Sequence, residues 1–422
     1  MKYFLLLLMM LSTAQAQEVI DPDPQDRLDE ITSLAERIIT LTQKVDPINS
    51  IFVCGDRDIK TYNEAIDAFN KIESGGVYLC RGGEFEVTRP AKISRNDCQA
   101  DNPCIFGAYG EGELPVVHSE GGVLTVETAK HVNIEDINFI GSGASNGIGI
   151  SERDIVEYVN FDNVGVTNFG TGMYMVPVNK NKSVNVRNSR FALNSVNGFL
   201  GGIEDSILEN NTFKNSGTGR SGHQIYVSGR GLKNFTVRNN TLRKNAPPGV
   251  MCNRGPLVAH GIIDGLKIEN NTIIEEKGNT GGGCWGLAVD QGRGWPESFT
   301  NLVIRGNTIK YAANMPLGCS NCPGAIIEDN TVTLHGQISS GIFVPTKPEK
   351  DGLETIAPII RNNIINVEGP ITTTNTRWAI RVDATDAEVY DNTINHTEQV
   401  SRNFHCVEVN GVDIDGNNCV VN

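Results

Sequence analysis

Apolar and polar residues alternate with a period of two through most of the chain after residue 50, and this alternation returns in repeated units. One unit is typified by Val-Arg-Asn-Asn-Thr-Leu at 237–242 and by Ile-Glu-Asn-Asn-Thr-Ile at 268–273. The second Asn of the unit recurs every 23 to 36 residues, at Asn211, Asn240, Asn271, Asn307, Asn330, Asn363, Asn392 and Asn417. A period in this range indicates a solenoid, in which each unit buries its apolar face against its neighbours.

A second pattern follows each Asn by about half a repeat. It reads small residue, apolar, any residue, apolar, as at 147–150, 286–289 and 341–344, and such alternation rich in Ile and Val predicts a short strand. No helical pattern of ten or more residues interrupts these units, so repeats of strand and helix are excluded. The chain is therefore predicted to be all-β, a parallel β-helix of about ten coils. We expect the recurrent Asn to occupy a turn and to bond its counterparts in neighbouring coils.

One helix is predicted at the start of the solenoid. Thr61 and Glu64 have the spacing of a capping box, and Ala65, Ile66 and Phe69 give the following turns one apolar face. This helix is predicted to belong to a cap that closes the first coils.

An earlier helix is predicted within residues 23–45, where Ile31, Leu34, Ile38, Leu41 and Val45 are spaced three and four residues apart. This spacing is that of a coiled-coil seam, so one interpretation is a homo-oligomer joined through residues 28–45. The other interpretation is a single helix that covers the open N-terminal end of the solenoid.

The first coils resemble those of a known group. An apolar segment at 51–55 precedes the capped helix, and Gly-Gly-Val-Tyr-Leu-Cys at 75–80 and Cys-Ile-Phe-Gly-Ala-Tyr-Gly at 104–110 follow it. In this order the segments resemble the right-handed parallel β-helix (pectin-lyase-like) superfamily, over about residues 51–422. The resemblance implies right-handed coils, as does the general preference of parallel crossovers. It implies no single activity, because the same fold hosts lyases, hydrolases, epimerases and inert spikes.

The predicted organisation has four parts. Residues 1–16 have the pattern of a secretory signal peptide, with Lys2, an apolar run from Phe4 to Leu11, and Ala14-Gln15-Ala16 before the expected cut. A helical extension and linker follows at 17–50, then a cap with the first coils at 51–130, and the β-helix proper at 131–422. The apolar run is too short to span a bilayer and no later segment is apolar enough, so we expect a secreted or periplasmic protein without membrane insertion.

Cysteine usage agrees with export. The chain has ten cysteines, an even number that fits an oxidising compartment. Proximity along the chain suggests the pairs Cys54–Cys80, Cys98–Cys104, Cys252–Cys284, Cys319–Cys322 and Cys406–Cys419.

The distribution of charge singles out one part of the chain. The net charge is −14, yet residues 210–263 contain no Asp or Glu. They contain eight basic residues, namely Lys214, Arg220, Arg230, Lys233, Arg238, Arg243, Lys244 and Arg254. Residues in neighbouring coils stack, so we expect these cations to line one groove that binds an anionic polysaccharide. A solvated edge is the alternative; nucleic acid is not expected, because an exported acidic protein without a nucleic-acid motif lacks the features of such binders.

Cleavage of a uronate polymer by β-elimination needs a cation at the carboxylate, a base for the C5 proton and an acid at the leaving oxygen. Tyr226 is predicted to transfer a proton, because Ile225 and Val227 face the core and Tyr226 must then face outwards onto the surface. His223 is predicted as base or charge neutraliser, and Arg254 as a bidentate partner of the carboxylate. The predicted substrate-binding residues are Tyr174, Arg220, Arg230, Lys244, His260, Trp285 and Arg293. For each residue taken singly, a solvated surface side chain is the alternative.

We therefore expect a polysaccharide-active protein, most simply a lyase acting on a uronate-containing polymer. One alternative is a non-catalytic carbohydrate-binding rod, and another is a glycoside hydrolase that uses Asp264 and Asp290. The Gly-His-Gly and Arg-x-Lys motifs of the pectin hydrolases and the Asp-Pro-His-Asp motif of the epimerases are absent. No metal-ligand set emerges, and Ca²⁺, which many proteins of this superfamily use to bridge carboxylates, is retained as a cofactor to be tested.

Overall fold

The computed structural model describes residues 50–54, 61–73, 75–151, 155–175, 181–217, 222–246, 249–290, 297–313, 315–335, 340–345, 356–368, 377–383, 386–396, 404–409, 412–413 and 416–421. The predicted signal peptide, the helix within 23–45 with its oligomerisation segment at 28–45, and the site residues Arg220 and Arg293 lie outside the described residues.

The described residues form one helix, α1 (Tyr62–Phe69), and 39 short strands numbered in chain order. The first twenty strands are β1 (Ile51–Val53), β2 (Gly76–Cys80), β3 (Glu84–Glu86), β4 (Ala91–Arg95), β5 (Cys104–Tyr109), β6 (Val116–His118), β7 (Leu124–Glu135), β8 (Asn138–Ile140), β9 (Ile148–Ile150), β10 (Val156–Asp162), β11 (Gly165–Thr167), β12 (Thr171–Met175), β13 (Lys182–Arg187), β14 (Arg190–Ala192), β15 (Asn197–Gly201), β16 (Ile207–Glu209), β17 (Thr212–Lys214), β18 (His223–Lys233), β19 (Thr236–Arg238) and β20 (Thr241–Arg243).

The remaining strands are β21 (Leu257–Asp264), β22 (Lys267–Glu269), β23 (Thr272–Ile274), β24 (Leu287–Val289), β25 (Ser298–Thr300), β26 (Val303–Arg305), β27 (Thr308–Lys310), β28 (Leu317–Cys319), β29 (Ile326–Glu328), β30 (Thr331–His335), β31 (Ser340–Val344), β32 (Ile359–Arg361), β33 (Ile364–Glu368), β34 (Arg377–Val382), β35 (Glu388–Tyr390), β36 (Thr393–His396), β37 (Phe404–Val409), β38 (Val412–Asp413) and β39 (Asn418–Val421).

Successive coils pair in parallel and build three stacks of strands, which we call faces 1, 2 and 3. Face 1 contains β4, β9, β12, β15, β18, β21, β24, β28, β31, β34 and β37. Face 2 contains β1, β2, β5, β10, β13, β16, β19, β22, β26, β29, β32 and β35, and the long strand β7 extends across faces 1 and 2. Face 3 is a separate sheet of 13 strands, β3, β6, β8, β11, β14, β17, β20, β23, β27, β30, β33, β36 and β39. The predicted all-β parallel solenoid is confirmed, and its number of coils is close to the expected one.

The alternation of the sequence fills the inside of the solenoid with stacked apolar side chains. On face 3, Phe191, Phe213, Leu242, Ile273 and Ile309 are in register on consecutive strands, and all are fully buried. The rings of Phe191 and Phe213 stack with centroids 4.8 Å apart, which is the spacing of paired strands. Such rows join into one core, so each coil is stabilised by the coils on either side.

The buried Asn residues of the repeat form the predicted ladder. Nδ2 of Asn240 donates to Oδ1 of Asn271 at 3.0 Å and to the carbonyl of Leu208 at 2.9 Å. Oδ1 of Asn240 accepts from both the backbone N and Nδ2 of Asn211. The same pattern continues through Asn271, Asn307, Asn330, Asn363, Asn392 and Asn417. These amides are thereby buried with their hydrogen bonds satisfied, which removes the cost of burying them.

The residue before each ladder Asn makes the bend between faces 2 and 3. Asn210, Asn239, Asn270, Gly306 and Asp329 have φ between 54° and 67°, a left-handed conformation that Gly, Asn and Asp adopt most readily. The two consecutive Asn of the motif therefore have different tasks: the first turns the backbone, and the second holds neighbouring coils together.

Face 2 carries a row of alternating charges on its outer side. Arg187, Glu209, Arg238, Glu269, Arg305, Glu328 and Arg361 are in register on consecutive strands. Glu209 lies 3.1 Å from Arg187 and 2.6 Å from Arg238, and Glu328 lies 2.5 Å from Arg305 and 2.7 Å from Arg361. Like charges in adjacent positions would repel, so the alternation favours the observed register of the coils.

The cap and the disulfides agree with the sequence predictions. Thr61 Oγ1 accepts from the backbone N of Glu64 at 3.2 Å, and the backbone N of Thr61 donates to Glu64 Oε2 at 3.0 Å, which makes the predicted capping box of α1. All five suggested pairs form: Cys54–Cys80, Cys98–Cys104, Cys252–Cys284, Cys319–Cys322 and Cys406–Cys419. Such a number of disulfides is typical of proteins from oxidising compartments. Within the described part of the chain, no helix has the length and apolar character needed to cross a membrane.

Replacing Asn271 by Ala should lower the free energy of unfolding by about 2–4 kcal/mol, because buried hydrogen-bonding groups lose their partners. The groups are the backbone N and Nδ2 of Asn240 and the carbonyl of Val237. Urea unfolding followed by circular dichroism measures the change. Asn102→Ala, at an exposed position whose side chain has no hydrogen bond among the described residues, is the control and should change stability by less than about 0.5 kcal/mol. Equal unfolding midpoints for the two variants would contradict the role of the ladder.

The stability that Glu209 contributes should depend on pH. Partial burial alone would raise the pKa of this carboxyl, but the hydrogen bonds and charges of Arg238 and Arg187 outweigh burial and lower it. Because the folded pKa is the lower one, the contribution is present above the ordinary value of 4.5 and is lost as the pH falls through the folded value. Glu209→Gln should therefore be less stable than the wild type at neutral pH, and the difference should shrink in acid. Denaturant titrations at neutral and acidic pH test this, with Glu86→Gln at an exposed position as the charge control; a difference that does not change with pH would contradict the prediction.

Candidate functional site

The outer side of face 1 brings several predicted site residues together. In β18, Ile225 and Val227 are fully buried in the core, and Tyr226 between them points outwards because successive side chains alternate. Strand register places Leu200 beside Tyr226 and Tyr174 beside Leu200. Tyr174 thus occupies the same row as Tyr226 two coils earlier, and it is half-buried.

Two histidines enclose the ring of Tyr226. The ring centroids of His223 and His260 lie 5.2 and 5.4 Å from the centroid of Tyr226, each in an edge-on arrangement. Only 6% of Tyr226 is exposed, so the expectation of an open surface tyrosine is corrected: the side chain points away from the coil core but is covered by its neighbours. A phenol held between two imidazoles is suited to proton transfer, because both groups act as general acids and bases.

His223 is held in one tautomer by the loop that follows face 3. Its Nδ1 lies 2.7 Å from the carbonyl oxygen of Gly255. A carbonyl oxygen can only accept, so Nδ1 carries the hydrogen, and Nε2 is the basic nitrogen of the neutral ring. The backbone N of His223 donates to Oδ1 of Asn197 at 3.0 Å, which fixes the start of β18.

His260 lies beside a buried glutamate. Its Nδ1 lies 3.3 Å from Oε1 of Glu297, and Glu297 is fully buried. The two atoms are close enough for an ion pair when the imidazole is protonated, but Nδ1 of His260 makes no hydrogen bond to any residue that the structure describes. The sequence does not identify Glu297, because no periodic pattern precedes it. Only the pairing of β25 with β21, which sets Ser298 beside Ile262, brings Glu297 next to His260.

Arg254 and Trp285 lie in two loops that precede strands of face 1. The Cys252–Cys284 disulfide joins these loops. Arg254 directly precedes Gly255, and a Cβ on Gly255 would lie 3.6 Å from the Cβ of Trp285. The loops therefore place both side chains near the residue that orients His223.

Both side chains carry a donor that lacks a partner. Nε of Arg254 and Nε1 of Trp285 are buried and have no hydrogen-bond partner among the described residues. Buried polar groups without partners are uncommon. A guanidinium and an indole N–H are donors that suit the carboxylate and hydroxyl oxygens of an acidic sugar.

Two other predicted binding residues lie further away. Lys244 follows β20 at the end of a face 3 strand, and its Nζ is 2.5 Å from Oε1 of Glu276. Arg230 is exposed on β18, four residues after Tyr226 and level with Ile262. The structure does not bring either residue into the enclosure of Tyr226.

The basic residues of 210–263 that the structure describes do not line one groove. Lys214 and Arg243 point outwards from face 3, Arg238 lies on face 2, and Arg254 lies before face 1. Arg238 and Lys244 are neutralised by carboxylates. The prediction failed because the basic residues of one coil fall on different strands of that coil, and only residues at equivalent positions in successive coils stack.

Asp264 and Asp290, the two carboxylates of the hydrolase alternative, form hydrogen bonds with different residues. Oδ1 of Asp264 accepts from Thr300 Oγ1 at 2.8 Å and from Asn301 Nδ2 at 2.7 Å, whereas Oδ1 of Asp290 accepts from Ser320 Oγ at 2.8 Å. The pairing of β21 with β24 places Asp290 level with His260, whereas Asp264 lies four residues further along β21. Register therefore does not bring them together as a pair.

A buried carboxyl lies under the loops of the site. Both oxygens of Glu275 are within 3.2 Å of the backbone N of Asn245, and Glu275 lies within 4.8 Å of the sulfurs of Cys252 and Cys284. This group and one at His396, Cys406 and Cys419 are the two clusters of metal-ligating residue types in the described ranges. Both contain a disulfide, and neither is the set of oxygen ligands that Ca²⁺ prefers.

The chain matches known proteins in its fold. Residues 178–350 match the family described as "Right handed beta helix region". No curated protein sequence matches the chain significantly. The predicted resemblance is confirmed, and this protein is a right-handed parallel β-helix.

Three solved structures illustrate the likeness. The Dettilon tailspike protein is 12% identical over 86% of this chain and 68% of its own, with a TM-score of 0.56. The GH136 lacto-N-biosidase from Eubacterium ramulus is 11% identical over 76% and 68%, with a TM-score of 0.44. The pectate lyase Pel9A is 12% identical over 87% and 79%, with a TM-score of 0.43. At such identities the likeness concerns the fold alone.

Glu275 should make the stability of the site fall as the pH rises. Burial raises its pKa to about 7; the hydrogen bond from Asn245 and the charge of Lys244 oppose the rise, and the charge of Glu276 adds to it. A carboxyl with a raised folded pKa contributes stability below the unfolded value of 4.5 and loses it as the pH rises through about 7. Between about pH 5 and pH 8 the loss should be about 3 kcal/mol.

The variant Glu275→Gln stays neutral and should remove this loss, as measured by denaturant unfolding across the same pH range. Glu276→Gln is the matched control, because the hydrogen bond from Lys244 lowers the pKa of this exposed neighbour. The control should keep the fall in stability. A fall of equal size in wild type and Glu275→Gln would contradict the assignment.

Proposed function

We propose that this protein is an exported lyase that cleaves a uronate-containing polysaccharide by β-elimination on face 1. The observation that carries the proposal is the enclosure of Tyr226 between His223 and His260 on the outer side of the solenoid. The two buried donors without partners, on Arg254 and Trp285, support it. The five disulfides and the signal-like sequence at 1–16 support export.

Each group has a role in this chemistry. Nε2 of His260, whose Nδ1 lies 3.3 Å from Oε1 of Glu297, removes the C5 proton, and the electron pair of the C5–H bond forms the C4–C5 double bond. The bond from C4 to the leaving oxygen breaks, and the phenol of Tyr226 supplies a proton to that oxygen. Arg254 binds the carboxylate and stabilises the charge that develops on it in the transition state. The ring of His223, fixed by the contact of its Nδ1 with the carbonyl of Gly255, packs edge-on against the ring of Tyr226 and positions it.

The observations favour this chemistry over the two alternatives. A glycoside hydrolase needs two carboxyl groups on either side of the scissile bond, and Asp264 and Asp290 are not paired by the register. A binding rod would need no basic imidazole next to a phenol. The enclosure instead offers a base and an acid, and Arg254, which directly precedes the Gly255 that contacts His223, offers a cation; β-elimination requires these three groups.

Tyr226→Phe should lower the rate of cleavage of polygalacturonate or alginate by about 10²–10⁴-fold, because the acid is removed while the ring is kept. The ultraviolet absorbance of the unsaturated ends measures the rate. Tyr158→Phe is the matched control, since Tyr158 also packs against a histidine, His131, but lies on β10 of face 2; its kcat should be nearly that of the wild type. Thermal unfolding of both variants shows that the fold is kept.

The products separate the proposal from the alternatives. New reducing ends without the ultraviolet absorbance would show hydrolysis, and binding without new ends would show a carbohydrate-binding rod. Full activity in Tyr226→Phe would remove the assignment of this residue.

A further inference from the structure

Face 3 carries a strip of cations that the candidate site does not use. On five consecutive strands, β14, β17, β20, β23 and β27, the outward residues form two rows in register. One row contains Arg190, Thr212, Thr241, Thr272 and Thr308, and the other contains Ala192, Lys214, Arg243, Ile274 and Lys310. We call these ten residues the face 3 strip.

The cations of the face 3 strip are not neutralised. None of Arg190, Lys214, Arg243 and Lys310 forms an ion pair with any residue that the structure describes. The five strands contain no Asp or Glu. Face 2 is different, since Arg187, Arg238, Arg305 and Arg361 each contact a Glu. An acidic protein of net charge −14 thus leaves one positive surface exposed.

The geometry of the face 3 strip suits an extended polymer. Lys214 and Arg243 lie on adjacent strands, about 4.8 Å apart along the solenoid axis, and Lys310 lies two strands beyond Arg243, about 10 Å further. The two rows are about 7 Å apart, because they occupy positions i and i+2 of each strand. The result is a narrow track parallel to the axis, with Lys214, Arg243 and Lys310 on one side and, on the other, four threonine hydroxyls that continue the row from Arg190.

We propose that the face 3 strip binds an anionic polysaccharide along the solenoid axis, as a second site separate from face 1. One sugar unit of an extended polysaccharide is about as long as one strand spacing, so the carboxylates of two neighbouring uronates can meet Lys214 and Arg243, and a carboxylate two units further along can meet Lys310. The hydroxyls of the threonine row can donate to and accept from the sugar hydroxyls. The choice of a uronate polymer rests on the proposed function, whereas the existence of a cationic binding strip is inferred from strand register and charge alone.

The composition of the face 3 strip disfavours nucleic acid. Proteins that hold single strands combine cations with aromatic rings on which the bases stack, and the outward residues here are Arg, Lys, Thr, Ala and Ile. Both the attraction of the strip cations and the repulsion of the negatively charged rest of the protein are screened beyond a Debye length of about 10 Å at 0.1 M salt. Binding therefore has to be short-ranged and confined to this face. A polymer held there would raise the local concentration of its other segments at face 1.

The test compares two double charge reversals that change the net charge equally, from −14 to −18, because each substitution changes it by two. Lys214→Glu with Arg243→Glu alters the face 3 strip. Lys233→Glu with Lys267→Glu alters two exposed lysines on β18 and β22. Both pairs are made in the Tyr226→Phe chain, and the affinity for labelled polygalacturonate is measured at low salt. We expect the strip variant to bind at least about tenfold more weakly and the control to change less than about twofold.

Several outcomes would overturn the proposal. Equal losses in the two variants would show an effect of net charge alone, and a wild type that does not bind the polymer would remove the site. Tighter binding of single-stranded DNA than of polygalacturonate would contradict the assignment to a polysaccharide. Cleavage of a uronate tetrasaccharide is measured separately with the strip variant in which Tyr226 is intact. If the polymer binds through the strip but no chain cleaves uronates, the proposed lyase function is rejected and the strip is retained as a binding site.

Discussion

The fold depends on the buried side-chain amide of the ladder Asn, which forms hydrogen bonds with the neighbouring coils. Each coil turns a corner against its neighbours, where backbone nitrogens and carbonyls are shielded from water and need partners. The side-chain amide of the ladder Asn supplies them, because its oxygen accepts from the coil before and its nitrogen donates to the coil after and to a carbonyl. The left-handed residue that precedes it sets the angle of the bend. A coil shifted by one residue would lose these bonds and turn its apolar side chains outwards.

Fixed register gives the three faces different properties. On face 2 it places Arg and Glu alternately, so the charges cancel and serve the stacking of coils. On face 3 it places cations beside threonines with no carboxylate on the same strands. On face 1 it places Tyr226 next to two histidines, one of which is backed by the buried Glu297. The candidate site therefore lies on face 1, beside loops that connect face 3 to face 1.

The sequence predicts what depends on periodicity. The recurring Asn, the alternation of apolar residues and the capping box at Thr61 each describe a local rule that every coil obeys, and the structure confirms all three. The outward direction of Tyr226 follows from the same rule. The contact between His260 and Glu297 does not, because the two residues are 37 positions apart and meet only through the pairing of β21 with β25. The expected groove of cations failed for a related reason, since a count of charges along the chain does not say which face each one occupies.

The central claim is that a uronate chain reacts at the enclosure of Tyr226, and a crystal structure tests it most directly. The Tyr226→Phe chain would be soaked with a short uronate oligosaccharide. The account predicts a sugar ring on the outer side of face 1, with its carboxylate at Arg254 and its C5 facing Nε2 of His260. An oligosaccharide found only on face 3, or on face 1 with its carboxylate turned away from Arg254 and both histidines, would contradict the account.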